Sequence, residues 1–198
     1  GWASAMQQAT VQLGKLGVQS IVNSMGVFVS AAFAAVNRID DFAYMPQQNI
    51  AHAMTALMAQ NKGAKKTDRI KAAFRCGMKI ELFYGIFIFF VCFFLAHPLM
   101  QLFSNDPVVR KHGVTYLKLI SLMYLFPAVT NGVQGYFRGI GDLKITLISS
   151  FVNMSVRVIF AAVLVFHFSL QIEALPFSYL AGWIGMLLAE VPLLLRKF

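Results

Sequence analysis

Between Leu82 and Leu95 the chain reads LFYGIFIFFVCFFL, a run with no charge in it. A helix needs roughly twenty mostly apolar residues to cross a hydrocarbon core about 30 Å thick. Three further stretches share this character. Leu117 to Val133 is apolar apart from Lys118 and a few hydroxyls and amides, and Phe160 to Leu170 and Ala174 to Leu195 follow. A chain of 198 residues with nineteen Phe, 58% hydrophobic residues and a mean hydropathy of +0.66 holds more apolar surface than its own core can hide. Only 13% of it is charged, against about 25% in ordinary soluble domains. The fold class is therefore all-α, a polytopic membrane protein.

Six helices are expected, at about 5–26, 31–60, 68–97, 107–134, 142–168 and 173–195, forming one domain. Turn chemistry marks their ends. In QNKGAKKTD, Asn61 and Gly63 close one helix and Thr67 or Asp68 can cap the next. In SNDP, Ser104 to Asp106 offer caps with Pro107 at the first helical position. RGIGD, from Arg138 to Asp142, reads as a glycine turn followed by an Asp cap. The first residues already look helical and carry no signal peptide, so the chain is expected to begin within a longer protein. Cys76 and Cys92 lie sixteen residues apart on one helix, about 24 Å of rise, too far for a disulfide.

A net charge of +9 raises nucleic acid as a partner, but the distribution of the charge explains it without one. Seven of the seventeen Lys and Arg residues crowd between Lys62 and Lys79. With six spans the connections alternate sides. The side of this cluster also holds Arg138, Lys144, Arg196 and Lys197, while the other holds Arg38, Arg110 and Lys111. Cytoplasmic connections carry the excess of Lys and Arg, so both chain ends are expected in the cytoplasm. The cluster is then a topology anchor beside anionic lipid.

Polar residues fall into stripes. At 100° per residue, Gln8, Gln12, Lys15, Gln19, Asn23 and Gly26 lie within about 80° of arc. Asn37, Asp40, Asp41, Tyr44, Gln47, Gln48, His52 and Thr55 share about 140° of the second helix. Pro46 sits in mid-span there and is expected to bend it as a hinge. Thr146, Ser149, Ser150, Asn153 and Arg157 share about 100° of the fifth helix. A single buried Asn or Gln is explained by hydrogen bonding between helices. Three striped helices point instead to a water-accessible cavity, since polar faces avoid lipid. The substrate-cavity candidates are Gln8, Gln12, Gln19, Asn23, Tyr44, Gln48, Asn153 and Arg157. A guanidinium in mid-span calls for a partner, and Asp40, Asp41 and Glu81 are the nearest acids.

Other chemistries find little footing. His52, His97, His112 and His167 have no metal-ligand spacing. No Ser/His/Asp set or carboxylate pair has a supporting context, so no catalytic residue is expected. Glu81 and Glu190 are placed near the cytoplasmic boundary, where acids need no special role. Phe87, Phe89, Phe90, Phe93 and Phe94 read as lipid-facing and packing bulk.

Three ordered motifs add a resemblance. VQSIVNSMG ends the first span, RIDDFAYMPQQNIAHAMTALMAQNKGA follows with its mid-helix proline, and YFRGIGDLK comes two spans later. Together they resemble the multidrug and toxic compound extrusion (MATE) family of secondary transporters, over the whole chain, as its C-terminal six-helix lobe. The resemblance implies a twelve-helix protein of two similar lobes, with the N-terminal lobe as this chain's partner. It implies a plasma-membrane antiporter that exports cationic or amphipathic small molecules, needs no cofactor beyond the coupled Na⁺ or H⁺, and works by alternating access. Pro46, Gly132, Gly135, Gly139 and Gly141 would be bending points. Some members carry coupling acids on the first and fourth helices of this lobe. Here no acid occurs between Gly1 and Ala35, or between Pro107 and Ile140. The chain is thus most similar to the DNA-damage-inducible type, whose coupling Asp lies in the other lobe. Asp40 and Asp41 are the substitutes within this chain, although they sit toward the outer end and read as solvated. The alternatives are a lipid-linked saccharide flippase of a related superfamily and a non-transporting membrane scaffold.

Overall fold

The computed structural model describes residues 2–197 as eight helices. They are α1 (Trp2–Ser24), α2 (Val27–Gly63), α3 (Thr67–Phe94), α4 (Ala96–Phe103), α5 (Pro107–Ser121), α6 (Leu125–Gly139), α7 (Leu143–Phe166) and α8 (Ala174–Leu195). By length and hydropathy α3, α7 and α8 can cross a membrane, and α5 with α6 makes a fourth span if the two are taken together. α1 and α2 have the length, but their polar stripes hold their hydropathy down.

The turns follow the expected chemistry with two corrections. Asp106 caps α5, its carboxylate accepting from the amides of Val108 at 2.7 Å and Val109 at 3.3 Å, with Pro107 behind it. Gly141 takes φ +80° in the turn before α7, a backbone shape that costs glycine little. The cap position of α3, however, is Lys66, with no side-chain cap bond, and Thr67 and Asp68 fall inside the first turn. Asp142 stands at the cap position of α7 without capping it. Its carboxylate instead takes Lys197 at 2.6 Å, tying the chain's C-terminal end to the α6–α7 turn.

The expected fourth helix, 107–134, is two helices bent by 52°. Pro127 explains the break. It has no amide to offer the carbonyl of Met123, and its ring crowds the preceding turn. The chain passes the break on short-range bonds, Met123 N to Ile120 O at 2.9 Å and Tyr124 N to Ser121 O at 3.1 Å. Pro46, by contrast, lies inside an uninterrupted α2. The expected third helix is also shorter than 68–97, and α4 is an additional amphipathic turn beyond it.

α7 lies along α8 and α1, while α2 lies along α6 and α3. α1 touches α2 far less, which leaves a space between the two groups. Glycines permit the closest approaches. A Cβ on Gly135 would stand 2.9 Å from the carbonyl oxygen of Ala51, and one on Gly182 would stand 2.9 Å from that of Asn153. Small residues let helix backbones meet this way in membranes. Gly132, Gly135 and Gly139 are therefore contact points within an unbroken α6 rather than bends.

The bundle is apolar outside and polar within. Phe83, Phe87, Phe90 and Phe94 are all at least half exposed along one side of α3. Asp40, Gln47, Glu81, Gln134, Asn153, Arg157 and Glu190 are buried. That inversion suits a hydrocarbon solvent.

Candidate substrate cavity

The space between the helices is a cavity of about 800 Å³, walled by α1, α2, α6, α7 and α8. Each wall follows from helical periodicity. On α1 the buried face is Gly14, Val18 and Val22, packed toward α7, so Gln12, Lys15 and Gln19 turn to the space. On α2, Ala32, Val36 and Ala43 pack inward and Asn37, Asp40, Asp41, Tyr44 and Gln48 line the wall. α7 contributes Ser150, Asn153 and Arg157. Gln12, Lys15, Asp41 and Gln48 remain exposed, so the cavity is open along α1 and α2.

Of the residues expected to line a cavity, Gln12, Gln19, Tyr44, Gln48, Asn153 and Arg157 do so, as do Asp40 and Asp41. Gln8 and Asn23 are exposed and lie off the wall; Asn23 accepts a hydrogen bond from Gln19 at 2.8 Å. Gln7 on α1 and two further sets of residues were missed. α6 adds Thr130, Asn131 and Gln134, and α8 adds Tyr179, Trp183 and Met186. The α6 set had a signal, a polar i, i+4 pair in an apolar run. The α8 set had none, because aromatic residues read equally well as core.

Two polar centres organise the wall. In the first, Tyr124 donates to Asp40 at 2.5 Å, and Tyr44 packs edge-on to Tyr124 with centroids 5.3 Å apart. Asp40 is 5% exposed, so it is buried rather than solvated, whereas Asp41 remains exposed. Arg157 makes no ion pair with Asp40, Asp41 or Glu81. Its guanidinium lies 3.8 Å from the ring centre of Tyr179 and 5.6 Å from that of Trp183. A cation over desolvated aromatic faces gains about 2 kcal/mol, and the planar guanidinium suits the stack. Aromatic rings thus supply the partner that an acid was expected to supply.

The second centre joins four helices. Gln7 donates to Ser150 at 2.8 Å. Gln134 donates to Ser150 at 3.3 Å and to Ser149 at 3.4 Å, and Ser149 reaches Glu190 at 2.6 Å. Glu81 and Glu190 are both completely buried inside the bundle rather than wetted at its surface. α6 packs against both α3, which carries Glu81, and α8, which carries Glu190, and this tertiary packing, invisible to hydropathy, helps remove them from water.

An all-helical bundle with an apolar exterior and a polar internal cavity open on one side defines the class: a multi-pass membrane protein. Sequence relationships specify it further. The chain belongs to the MatE family, whose sequence model matches residues 3–163. It is 24% identical over 188 residues to a probable multidrug resistance protein NorM of Thermotoga maritima, covering 94% of this chain and 39% of the relative. It is 26% identical over 186 residues to the probable multidrug resistance protein YoeA of Bacillus subtilis, covering 93% and 39%. A crystal structure of MATE in the bent conformation superposes with a TM-score of 0.92 at 17% identity, covering 99% of this chain and 44% of that one. The chain spans about two fifths of the length of these relatives.

Proposed function

We propose that this chain forms one lobe of a secondary active antiporter that exports organic cations and drugs in exchange for Na⁺ or H⁺. It sits in the plasma membrane with both ends of this segment in the cytoplasm, and alternating access rocks it against a second, N-terminal lobe. The observation that carries the reading is the cavity. It is large enough for a drug-sized molecule, and it sets the acids Asp40 and Asp41 beside the aromatic faces of Tyr44, Tyr179 and Trp183. Acids and aromatic faces are the chemistry that holds an amphipathic cation. The names of the NorM and YoeA relatives support drug export. The surplus of Lys and Arg at the α2–α3 and α6–α7 turns and after α8 supports the orientation.

Efflux of a fluorescent organic cation from vesicles carrying the full-length protein tests this. Efflux should follow an imposed Na⁺ or proton gradient. Efflux indifferent to both gradients overturns the coupling. One observation favours a second reading: Lys15 and Arg157 also line the cavity, as an anionic, lipid-linked saccharide cargo would require. Loss of the gene that blocks envelope polymer export and leaves drug sensitivity normal would select that reading.

A further inference from the structure

Glu190 on α8 is completely buried, and one of its carboxylate oxygens has no hydrogen-bond partner. The other oxygen meets the hydroxyl of Ser149 at 2.6 Å. That hydroxyl sits at a junction. It also lies 3.2 Å from the carbonyl oxygen of Thr146, and it accepts from the amide of Gln134 at 3.4 Å. Gln134 lines the cavity and donates as well to Ser150, which receives Gln7. Completely buried on α8, Glu190 is thus four hydrogen bonds along this path from Gln7 on α1, across the cavity wall.

We propose that Glu190 is a proton-binding site of this lobe, and that its occupancy is passed to the cavity wall through Ser149 and Gln134. The inference rests on the antiporter reading above.

Donor and acceptor counting gives the mechanism. A carboxylate only accepts, so with Glu190 ionised the single hydrogen of Ser149 must point to it. With Glu190 protonated, the carboxyl donates to Ser149 Oγ, and the hydrogen of Ser149 turns to the Thr146 carbonyl. The Ser149 oxygen then receives Glu190 on one lone pair and keeps the other for Gln134. No longer donating to an anion, it is a poorer acceptor, and the Gln134 amide shifts its bond toward Ser150 and the cavity. One proton moves from water to the Glu190 oxygen; the other changes are in hydrogen bonds, and no other covalent bond forms or breaks. The proton is taken up at the cytoplasmic end. Glu190 stands six residues before Arg196, about 9 Å of helix rise.

The surroundings allow both states. From α6 the charged group acting on Glu190 is Arg138, which makes no ion pair with it. α7 presents hydroxyls, and its leading acid, Asp142, is held by Lys197.

The experiment uses the full-length protein, purified in detergent and reconstituted. Affinity for a fluorescent organic cation is measured from pH 6 to pH 8, and proton-driven efflux is measured in vesicles. Wild-type affinity should change at least fivefold across that range. Glu190→Gln should flatten the change to under twofold and reduce proton-driven efflux at least tenfold, with binding retained. Ser149→Ala keeps the carboxyl and cuts the link, so it should flatten the profile too, and it decides the matter if the Gln variant does not fold. A wild-type pH profile in either folded variant overturns the inference and leaves the antiporter reading intact. So does transport by the wild-type protein that follows Na⁺ alone at every pH. No cation efflux under any gradient removes the antiporter reading and this inference with it.

Discussion

Tyr124 donates its hydroxyl to Asp40 at 2.5 Å across 84 residues of sequence, and both groups are buried. The bond joins the middle of α2 to the break between α5 and α6. An acid on one helix is thereby coupled to the bend in another. The pair separates structure from function. Tyr124→Phe leaves Asp40 without this donor, which costs about 1–3 kcal/mol, so the melting temperature of the purified full-length protein should fall. Asp40→Asn keeps an acceptor for Tyr124 and removes the ionisable group. It should melt near the wild type and lose most ion-driven efflux. Full efflux in a folded Asn variant would remove Asp40 from coupling.

Arg157 rests on aromatic faces and makes no ion pair. A charge swap, Arg157→Asp with Asp40→Arg, should therefore fail to restore cation efflux lost in Arg157→Asp. Arg157→Lys should also be impaired, because an ammonium lacks the flat surface that covers Tyr179. The readout is dye efflux normalised to protein in the membrane; rescue by the swap would show that an ion pair forms in some state of the cycle.

Close helix contacts should be the least tolerant of added volume. Gly135→Ala and Gly182→Ala each push a methyl to within 2.9 Å of a backbone oxygen, an overpacking that costs about 1–3 kcal/mol. Gly63→Ala meets nothing within 4 Å and should change stability by no more than about 0.5 kcal/mol. Thermal melts of the three variants in detergent give the comparison.

Water access along the cavity is measurable by thiol labelling. Cysteines placed at Gln19 and Gln48 should react with a membrane-impermeant reagent, and one at Asn153, buried in the wall, should react more slowly. A cysteine at Phe83, which is 76% exposed on the outer side of α3, should resist the reagent because acyl chains cover it. The background replaces exposed Cys76 and keeps buried Cys92. Equal protection at Gln19, Gln48 and Asn153 would favour a packed scaffold.

Apolar run length and helical periodicity, both local properties, were enough to read the helical class and the polar sides of α1, α2 and α7. Asp106 with Pro107 and Gly141 likewise act on their immediate neighbours, so their turns were legible. A stripe's direction is local, but what it meets is not. Ser149 finds Glu190 41 residues away, and Gln7 finds Ser150 143 residues away. Packing alone buried the two glutamates, since α8 looks the same in sequence whether its acid faces water or α7. Packing also set Arg157 on Tyr179 instead of an acid, because attraction depends on which rings and carboxylates the crossing helices bring within a few ångströms.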